Sequence, residues 1–437
     1  MFHCTSLSLP PEAPVKRESI RPVEFRQPGF DEAFDATTLF YDLILSRNKH
    51  GNNLILIGPP FLNLFPAFYA GRIGGKPLAS TISNYYFREL CSDVWIPNWD
   101  SDAVHLEFHF GSYRLTPQCA ANHLYRGRRV LYTHSRDNEV RWIVDWVQFH
   151  ARNHGANAVL LYDNASTKYS GEDLERSLRE AFPSLEINVV HWPYKFGPQG
   201  FKGGWWDSHF CQAAAFQDAR FRFLDSASSV LNCDIDELVV SKKGESIFDI
   251  TEKSRNGCTL FGGKWISNAT FGTRPAFNSP PDLRHGCFRY LARPQPGPCP
   301  MKWCVVPRRC KLEDHWANHH VMFVGKEGEN GSGRDLASSF SDAFSYRHFQ
   351  SISTNWKYQR SVPVVFNPNL HQFDERLEEA LVRAGIAGLE ARAPRSFLEI
   401  VRQTTRYDRI KHLGARWKRR QRNVARHLRW LISQLNP

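Results

Sequence analysis

The sequence lacks several features that mark familiar classes of protein. None of its ten cysteines forms a CxxC pair, which argues against a zinc ribbon or a disulfide scaffold and favours a reducing compartment. The N-terminus lacks the basic segment and apolar core of a signal peptide. The apolar stretch at 54–70 is interrupted by Pro59, Pro60 and Pro66, so it is too short for a membrane span. We therefore expect a cytoplasmic protein without a transmembrane helix.

Positive charge is concentrated at the C-terminal end of the 437 residues. The formal net charge is +12, and residues 416–429 alone contribute seven arginines and lysines with no acid. A nucleic-acid-binding protein would spread its charge over a face with interleaved aromatic residues, so this class is an alternative that we do not favour, and no nucleic acid is expected as a partner. A stripe of Leu and Trp accompanies the arginines. The segment is therefore a candidate amphipathic helix, either for peripheral contact with an anionic membrane or for packing on the body of the protein.

The length predicts more than one domain. Residues 1–35 are rich in proline and charge and are predicted to be a loosely ordered lead. Residues 36–125 alternate short β-rich runs with Gly, Pro and Asn turns, which predicts a smaller β-rich N-terminal domain. Residues 126–375 are predicted to form the main domain, and residues 376–437 a basic helical extension.

The main domain alternates strands and helices. Residues 130–133 predict a strand, and residues 138–155 predict a helix with apolar positions at i, i+3, i+4, i+7 and i+11. Residues 158–164 are continuously apolar, as in a parallel sheet covered on both faces. After two further helices and one strand, residues 230–233 predict a fourth strand. This pattern is typical of an α/β fold.

Three acidic residues follow the fourth strand directly, at the edge where α/β sheets bind ligands. Asp234 and Asp236 are separated by one residue, so both carboxylates can hold a hard divalent cation. Such a cation can bridge the oxygens of a diphosphate and neutralise its charge as it leaves. In the alternative interpretation Asp234 caps a turn and Glu237 pairs with Lys242 or Lys243. Mutual repulsion of carboxylates without a cation weighs against that alternative.

Several short motifs surround the acidic cluster. In chain order they are Asn138 with Glu139, Asp145 with Trp146, His150, Asp163 with Asn164 and Ser166, Gln212, and Asp234 to Glu237. In this order they resemble the family 92 glycosyltransferases and their family 2-like relatives, over about residues 130–321. The resemblance implies a GT-A (Rossmann-like) fold, a mixed sheet flanked by helices. It also implies a role in polysaccharide biosynthesis, in which a nucleotide sugar, such as a UDP-sugar, donates its sugar with inversion to a glycan or lipid-linked acceptor.

The resemblance also implies roles for individual residues. Those expected to bind the donor are Thr133, Glu139, Asp163, Asn164, Asp234 and Lys302. The expected ligands of Mn²⁺ or Mg²⁺ are Asp234, Asp236 and His319, with His315 and His320 left open. A base must remove the proton of the acceptor hydroxyl, and the catalytic candidates are Asp314 and Glu313.

A phosphotransferase of the haloacid dehalogenase type is an alternative enzyme class, because it also uses a D-x-D motif. That class places the motif on the first strand of its domain. Here several strand–helix units precede Asp234, and Glu237 and Leu238 follow the motif. These differences favour the glycosyltransferase over the phosphotransferase.

Overall fold

The computed structural model describes residues 1–48, 51–88, 90–200, 206–270, 283–323, 339–354 and 364–386. The predicted basic helix at 416–429 lies outside these residues, as does most of the predicted extension. Within the described residues, no helix combines the length and the apolar character required to cross a bilayer.

The N-terminal part of the chain consists mainly of short strands, which confirms the predicted β-rich region. Its elements are β1 (Leu7–Ser8), β2 (Thr38–Phe40), β3 (Asp42–Asn48), β4 (Gly51–Gly58), β5 (Arg72–Ile73), β6 (Lys76–Pro77), β7 (Asn84–Arg88), β8 (Cys91–Pro97), β9 (Val104–Phe108), β10 (Gly111–Leu115) and β11 (Gln118–Cys119), with α1 (Phe30–Ala33), α2 (Phe65–Tyr69) and α3 (Leu78–Thr81). The order β11-β3-β4-β8-β7 forms a five-stranded sheet, and the order β10-β9-β5-β6 forms a four-stranded sheet.

The N-terminal lead differs from the expectation of loose order, because it packs against the rest of the chain. Arg17 is 2% exposed and donates hydrogen bonds to the carbonyl oxygens of Pro60 and Thr38 at 2.7 and 2.6 Å. The backbone N–H of Phe2 donates to the carbonyl oxygen of Val189 at 2.8 Å. Contacts of this kind involve single residues, so no periodic sequence pattern signals them.

The main domain has one large mixed sheet with helices on both faces. The strands of the main domain, in this sheet and outside it, are β12 (Arg129–Ser135), β13 (Ala158–Asp163), β14 (Glu186–His191), β15 (Ser229–Asn232), β16 (Glu237–Ser241), β17 (Cys258–Ile266), β18 (Ala269–Thr270), β19 (Tyr290–Ala292), β20 (Cys299–Val305), β21 (His315–Trp316), β22 (Val321–Met322), β23 (Phe344–Phe349), β24 (Val364–Val365) and β25 (His371–Phe373). Its helices are α4 (Val140–His154), α5 (Gly171–Ala181), α6 (Phe210–Asp218), α7 (Ile247–Lys253) and α8 (Glu375–Ala384).

The sheet changes from parallel to antiparallel at its centre. The strands β14, β13, β12 and β15 lie side by side and are parallel. The strand β20 pairs antiparallel with β15 on the other side, and β17 follows. Beyond them, β23 pairs parallel with β17 and antiparallel with β16. This mixed sheet flanked by helices confirms the predicted α/β class and agrees with a GT-A-like fold.

Helix α4 shows how closely local sequence determines an element. Its apolar face is buried against the sheet, and it ends at Gly155, whose positive φ of 74° suits a residue without a side chain. The residue at the N-terminal cap is Glu139, so the preceding Asn138 lies outside the helix. Asn138 instead donates a hydrogen bond to the side-chain oxygen of Ser135 at 2.9 Å.

Helix α6 joins the two parts of the chain. It packs on β4 and β8 of the N-terminal sheet as well as on the main sheet, so nearly all of its residues are buried. It continues into a π-helical turn, Ala219–Leu224. From this turn the buried Arg222 donates to Asp42 of β3 at 2.8 Å. The N-terminal sheet and the main sheet therefore share one apolar layer and a buried ion pair.

Candidate functional site

The acidic loop, residues 234–236, connects β15 to β16 at the carboxyl end of the parallel strands. Glu237, the first residue of β16, is 2% exposed, and its carboxylate accepts a hydrogen bond from the backbone N–H of Asp234 at 2.9 Å. The carbonyl oxygen of Asp234 in turn accepts from the backbone N–H of Glu237 at 3.0 Å. These reciprocal bonds close the turn, so the loop has a defined shape before any ligand binds.

Two further contacts hold the backbone of the acidic loop. The ring of His285 donates from Nε2 to the carbonyl oxygen of Ile235 at 2.9 Å, and its Nδ1 lies 3.7 Å from the buried carboxylate of Asp145 on α4. The backbone N–H of Phe349 donates to the carbonyl oxygen of Asp236 at 2.8 Å. Helix α4 and strand β23 therefore both fix the position of the loop.

Two buried histidines of α4 hold the strand that follows the loop. His150 donates from Nδ1 to the carbonyl oxygen of Trp146 at 2.8 Å, so its Nε2 accepts from the N–H of Val239 at 3.3 Å. His154 donates from Nε2 to the carbonyl oxygen of Val239 at 2.7 Å, and its Nδ1 accepts from the N–H of Ile247. Each ring needs one bare nitrogen for these bonds. Burial lowers the pKa of His150 to about 3 and that of His154 to about 4, so both are neutral near pH 7.

Lys302 of β20 lies under the acidic loop. Its side chain is 1% exposed, and its Nζ lies 2.7 Å from Asp234 Oδ2 and 3.2 Å from Glu237 Oε2. Burial opposes the charged form of Lys302, but the two carboxylates outweigh burial and raise its pKa. Burial likewise raises the pKa of Glu237, to about 7. Lys302 was predicted to bind the donor, whereas the structure shows it neutralising two carboxylates of the protein.

The ligand set centres on Asp236, Glu237 and His348. One ligand atom from each side chain lies within 4.8 Å of the other two, and no other group of three His, Cys, Asp or Glu residues in the described part of the chain meets this condition. His348 of β23 lies opposite Glu237 in the antiparallel register, and its Nε2 is 3.0 Å from Asp236 Oδ2. Trp265 stacks on the His348 ring with centroids 4.1 Å apart.

The donor atoms of this cluster fit a divalent cation. Two carboxylates and one imidazole are ligands that Mn²⁺ accepts, and carboxylates also suit Mg²⁺. Burial lowers the pKa of His348, but the adjacent Asp236 carboxylate outweighs burial and raises it to about 10. The imidazole therefore carries a proton near pH 7, and a metal ion would displace that proton on binding.

Side chains at the ends of β12 and β13 lie where the donor was predicted. Thr133 is 1% exposed, and its Oγ1 has no hydrogen-bond partner among the described residues. Burial raises the pKa of Asp163, although its carboxylate accepts two hydrogen bonds from Ser166. Glu139 forms an ion pair with Lys168. Of the residues predicted to bind the sugar donor, Thr133 thus has a side-chain oxygen without a hydrogen-bond partner among the described residues.

Asn164, the remaining predicted donor residue, is used within the fold. It is 2% exposed, and its side-chain amide donates to the carbonyl oxygens of Trp192 and Tyr194, both at 2.8 Å. These bonds tie the end of β13 to the segment after β14. The contacts give Asn164 a structural role, and its contact with the donor stays a prediction.

The predicted metal ligand His319 is not part of the ligand set. It lies in the exposed turn between β21 and β22, with its Nδ1 3.3 Å from the carbonyl oxygen of Met301. The pairing of β16 with β23 places His348 beside Asp236 instead. Of the predicted ligands, Asp236 lies in the cluster, whereas Asp234 is held by Lys302.

The two predicted bases are also engaged elsewhere. Asp314 is 1% exposed, and its carboxylate accepts from the backbone N–H of Lys311 at 2.7 Å, which closes a turn. The Glu313 side chain is 39% exposed and lies 3.9 Å from Lys311. The carbonyl oxygens of both residues accept hydrogen bonds from Arg88 of the N-terminal sheet. These contacts give Asp314 a structural role in the turn, and the role of Asp314 or Glu313 as a base stays a prediction.

The sequence alone does not identify two members of the cluster, Glu237 and His348, as candidate metal ligands. The sequence interpretation treats Glu237 only as a partner for lysine, although Glu237 directly follows the D-x-D motif. The second lies in the strand SYRHF, which follows a glycine-rich stretch. Its proximity depends on strand register, and a single sequence contains no direct signal for that.

Fold and site together define a class of protein. A mixed sheet with an acidic loop at the carboxyl end of its parallel strands agrees with a GT-A-like fold. Residues 135–271 match the model of glycosyltransferase family 92. The match confirms the resemblance seen in the motifs. Lys302 and His348 lie beyond the matched segment.

Other comparisons add little. No curated protein matches the chain. Among solved structures, the apo structure of the WbbM bifunctional glycosyltransferase is similar, with 15% identity and a TM-score of 0.24. The alignment covers 36% of this chain and 26% of that chain, so this chain spans about a quarter of its length. A likeness this weak is not informative about function.

Proposed function

We propose that this protein is a divalent-cation-dependent glycosyltransferase that transfers a sugar from a nucleotide-sugar donor, with a UDP-sugar as the favoured donor. The observation that carries the proposal is the cluster of Asp236, Glu237 and His348 at the carboxyl end of the sheet. A bound cation would supply positive charge next to the departing diphosphate. The acceptor would be a hydroxyl of a glycan or of a lipid-linked sugar.

Lys302 explains how the acidic residues can lie close together without a metal cation. Its ammonium group offsets the charge of Asp234 and Glu237 at 2.7 and 3.2 Å. Protonated His348 pairs with the remaining carboxylate, Asp236. The two protein cations thus offset part of the charge of the three carboxylates, and a divalent cation would replace the proton on His348 while Lys302 keeps its partners.

Thr133 and Asp163 are the best candidates for contact with the nucleoside. Both lie at the carboxyl ends of adjacent parallel strands, on the same edge of the sheet as the acidic loop. The buried Thr133 Oγ1, which has no partner among the described residues, would gain a hydrogen bond from a ribose or base. The chemistry also requires a base for the acceptor hydroxyl, and none of the residues above is positioned well enough to assign that role.

Two histidine variants test the metal site. We expect His348→Ala to weaken Mn²⁺ binding at least about tenfold, because it removes one of three ligand side chains, and His319→Ala to leave it unchanged. Calorimetric titration with Mn²⁺ measures binding without requiring activity. The reverse result would return the ligand role to His319 and exclude His348.

The donor is tested by thermal unfolding with nucleotide sugars. We expect UDP-sugars to raise the melting temperature only when Mn²⁺ or Mg²⁺ is present, and Asp236→Asn to abolish both this shift and sugar transfer. A folded wild-type protein that no UDP- or GDP-sugar stabilises in the presence of metal would contradict the proposed function.

The stereochemistry and the location of the acceptor belong to the same proposal. Inversion is the outcome that the family resemblance favours, and the anomeric configuration of the product by NMR decides it. Contact of residues 416–429 with an anionic membrane would bring the site to a lipid-linked acceptor. That segment lies outside the described residues.

A further inference from the structure

A cavity lies at the opposite edge of the sheet from the acidic loop. It has a volume of about 250 Å³ and is bordered by the end of α4, the turn after β16 and one face of α8. Strand β16 connects the two places, since Glu237 at its start belongs to the acidic cluster and Ser241 at its end lines the cavity. At about 3.3 Å per residue they are about 13 Å apart along the strand.

The lining of this cavity is strongly basic. Lys242 and Lys243 contribute from the turn, and Arg376 and Arg383 contribute from α8, against a single acid, Glu379. Arg376, Glu379 and Arg383 are spaced by three and four residues, so they share one face of the helix. Lys242 forms an ion pair with Asp342 at 2.6 Å.

Three of these cations have no acidic partner. In the described part of the chain, no carboxylate lies within 4.0 Å of the charged groups of Lys243, Arg376 or Arg383. Like charges brought to one concave surface repel each other unless an anion neutralises them. Guanidinium groups in particular present a fork of donors that matches phosphate oxygens.

The cavity also contains acceptors. The Asn153 side chain donates from Nδ2 to the carbonyl oxygens of Phe149 and Ala380, both at 3.0 Å, which fixes its orientation. Its Oδ1 is buried and has no partner among the described residues. The carboxylate of Glu379 is a second acceptor in the lining. These acceptors suit hydroxyl groups, which a simple phosphate ion offers poorly.

The walls that carry these groups are well fixed. Ser241 Oγ accepts from the backbone N–H groups of Lys243 and Glu245 at 3.3 and 3.0 Å, which shapes the turn. Gly244 has a φ of +80°, and a Cβ atom there would lie 3.8 Å from Arg383 Nη1. The turn and α8 therefore meet closely at a position that favours glycine.

We propose that this basic cavity binds a phosphorylated polyol, with the arginines and lysines on the phosphate and with Asn153 and Glu379 on the hydroxyls. Its volume lies just below the range of about 300–1,000 Å³ typical of larger ligands, which suits a compound of the size of a sugar phosphate. The same chemistry occurs in soluble sugar phosphates and in phosphoinositide headgroups. The site is separate from the acidic cluster and does not depend on the proposed donor.

The test compares two pairs of substitutions in the full chain. Calorimetry in metal-free buffer with EDTA measures binding of a hexose monophosphate, inositol trisphosphate and inorganic phosphate. We expect the double variant Lys243→Ala, Arg383→Ala to weaken binding of the phosphorylated polyols on the order of 10- to 100-fold. The control is Lys253→Ala, Arg255→Ala, which removes two exposed cations outside the cavity and should leave binding unchanged.

Further arms identify the source of the ligand and the role of the acceptors. Phosphatidylcholine vesicles with and without a phosphatidylinositol phosphate test the lipid headgroup. If the protein binds the vesicles but none of the soluble ligands, and the cavity variant weakens vesicle binding, the ligand is the lipid headgroup. Glu379→Gln should reduce the preference for hexose phosphate over inorganic phosphate. Asp236→Ala should leave all binding intact, which separates this site from the metal cluster. Absence of binding by every probe, or equal affinity in the cavity variant and its control, would overturn the proposal.

Discussion

Removal of the Lys302 charge should destabilise the acidic loop more than removal of any single surface charge would. The substitution Lys302→Met keeps the apolar stem of the side chain and removes the ammonium group. In the wild type this group lies 2.7 Å from Asp234 Oδ2 and 3.2 Å from Glu237 Oε2, with the lysine side chain 1% exposed. The variant would therefore leave two carboxylates close together with no protein cation between them.

The expected loss follows from the burial of each group. Removing one partner of a buried ion pair costs about 3–5 kcal/mol, because the other charge stays in a poorly solvated place. The Asp234 side chain is 37% exposed, so water screens part of that cost, whereas Glu237 is almost fully buried. We expect the free energy of unfolding to fall by about 3 kcal/mol. Urea denaturation at pH 9, above the pKa of about 7 of Glu237, and with EDTA, so that no metal compensates, measures this change.

The matched control is Lys311→Met, since the Lys311 side chain is 44% exposed and lies 3.9 Å from Glu313. An exposed pair of this kind contributes less than about 1 kcal/mol. Adding Glu237→Gln to the Lys302→Met variant removes one of the two stranded charges and should restore part of the stability. If Lys302→Met is as stable as Lys311→Met, the ammonium group does not neutralise the cluster and the reasoning is wrong.

Three further predictions concern the framework around the site. Because burial lowers the pKa of His150 to about 3 and that of His154 to about 4, protons bind the unfolded chain first; the free energy of unfolding, from urea denaturation, should fall by about 3 kcal/mol between pH 6.5 and pH 5, and by less in His150→Gln. Gly263→Ala should lower the melting temperature, since its Cβ would lie 2.3 Å from the Tyr346 ring, whereas Gly262→Ala has open space and serves as control. Arg88→Met should lower the free energy of unfolding by about 3–5 kcal/mol and speed trypsin cleavage after Lys311, because it frees the carbonyl oxygens of Leu312 and Glu313 and leaves the buried Asp93 without its cation; unchanged cleavage would contradict the role of Arg88 in holding the loop.

Periodic elements of the main domain were predictable because one buried face imposes a repeat on the sequence. Helix α4 was predicted within 138–155 and spans Val140–His154, and the strand predicted at 230–233 spans Ser229–Asn232. The position of the acidic residues after that strand followed directly. The end of α4 at a glycine could also be predicted from local sequence, because the backbone conformation there favours a residue without a side chain.

Contacts between distant segments were not predictable in the same way. His348 comes beside Asp236 only through the register of β16 with β23, and one residue of slippage would turn it to the other face. His319 looked equally suitable because histidine identity alone does not encode position. The buried contacts of Arg17 in the N-terminal lead are similar, since a charged residue in a proline-rich stretch resembles an exposed one.

The place of β15 in the sheet has a consequence for the order in which the chain matures. One neighbour, β12, is synthesised before it, and the other, β20, is synthesised after it. The ribosome must add 68 residues after Asp234 before Lys302 exists, and 112 residues after Asp236 before His348 exists. During this interval the parallel half of the sheet has all its strands, while the carboxylates lack both protein cations. We therefore expect the acidic loop to become ordered late during synthesis of the chain, after the parallel strands have already assembled.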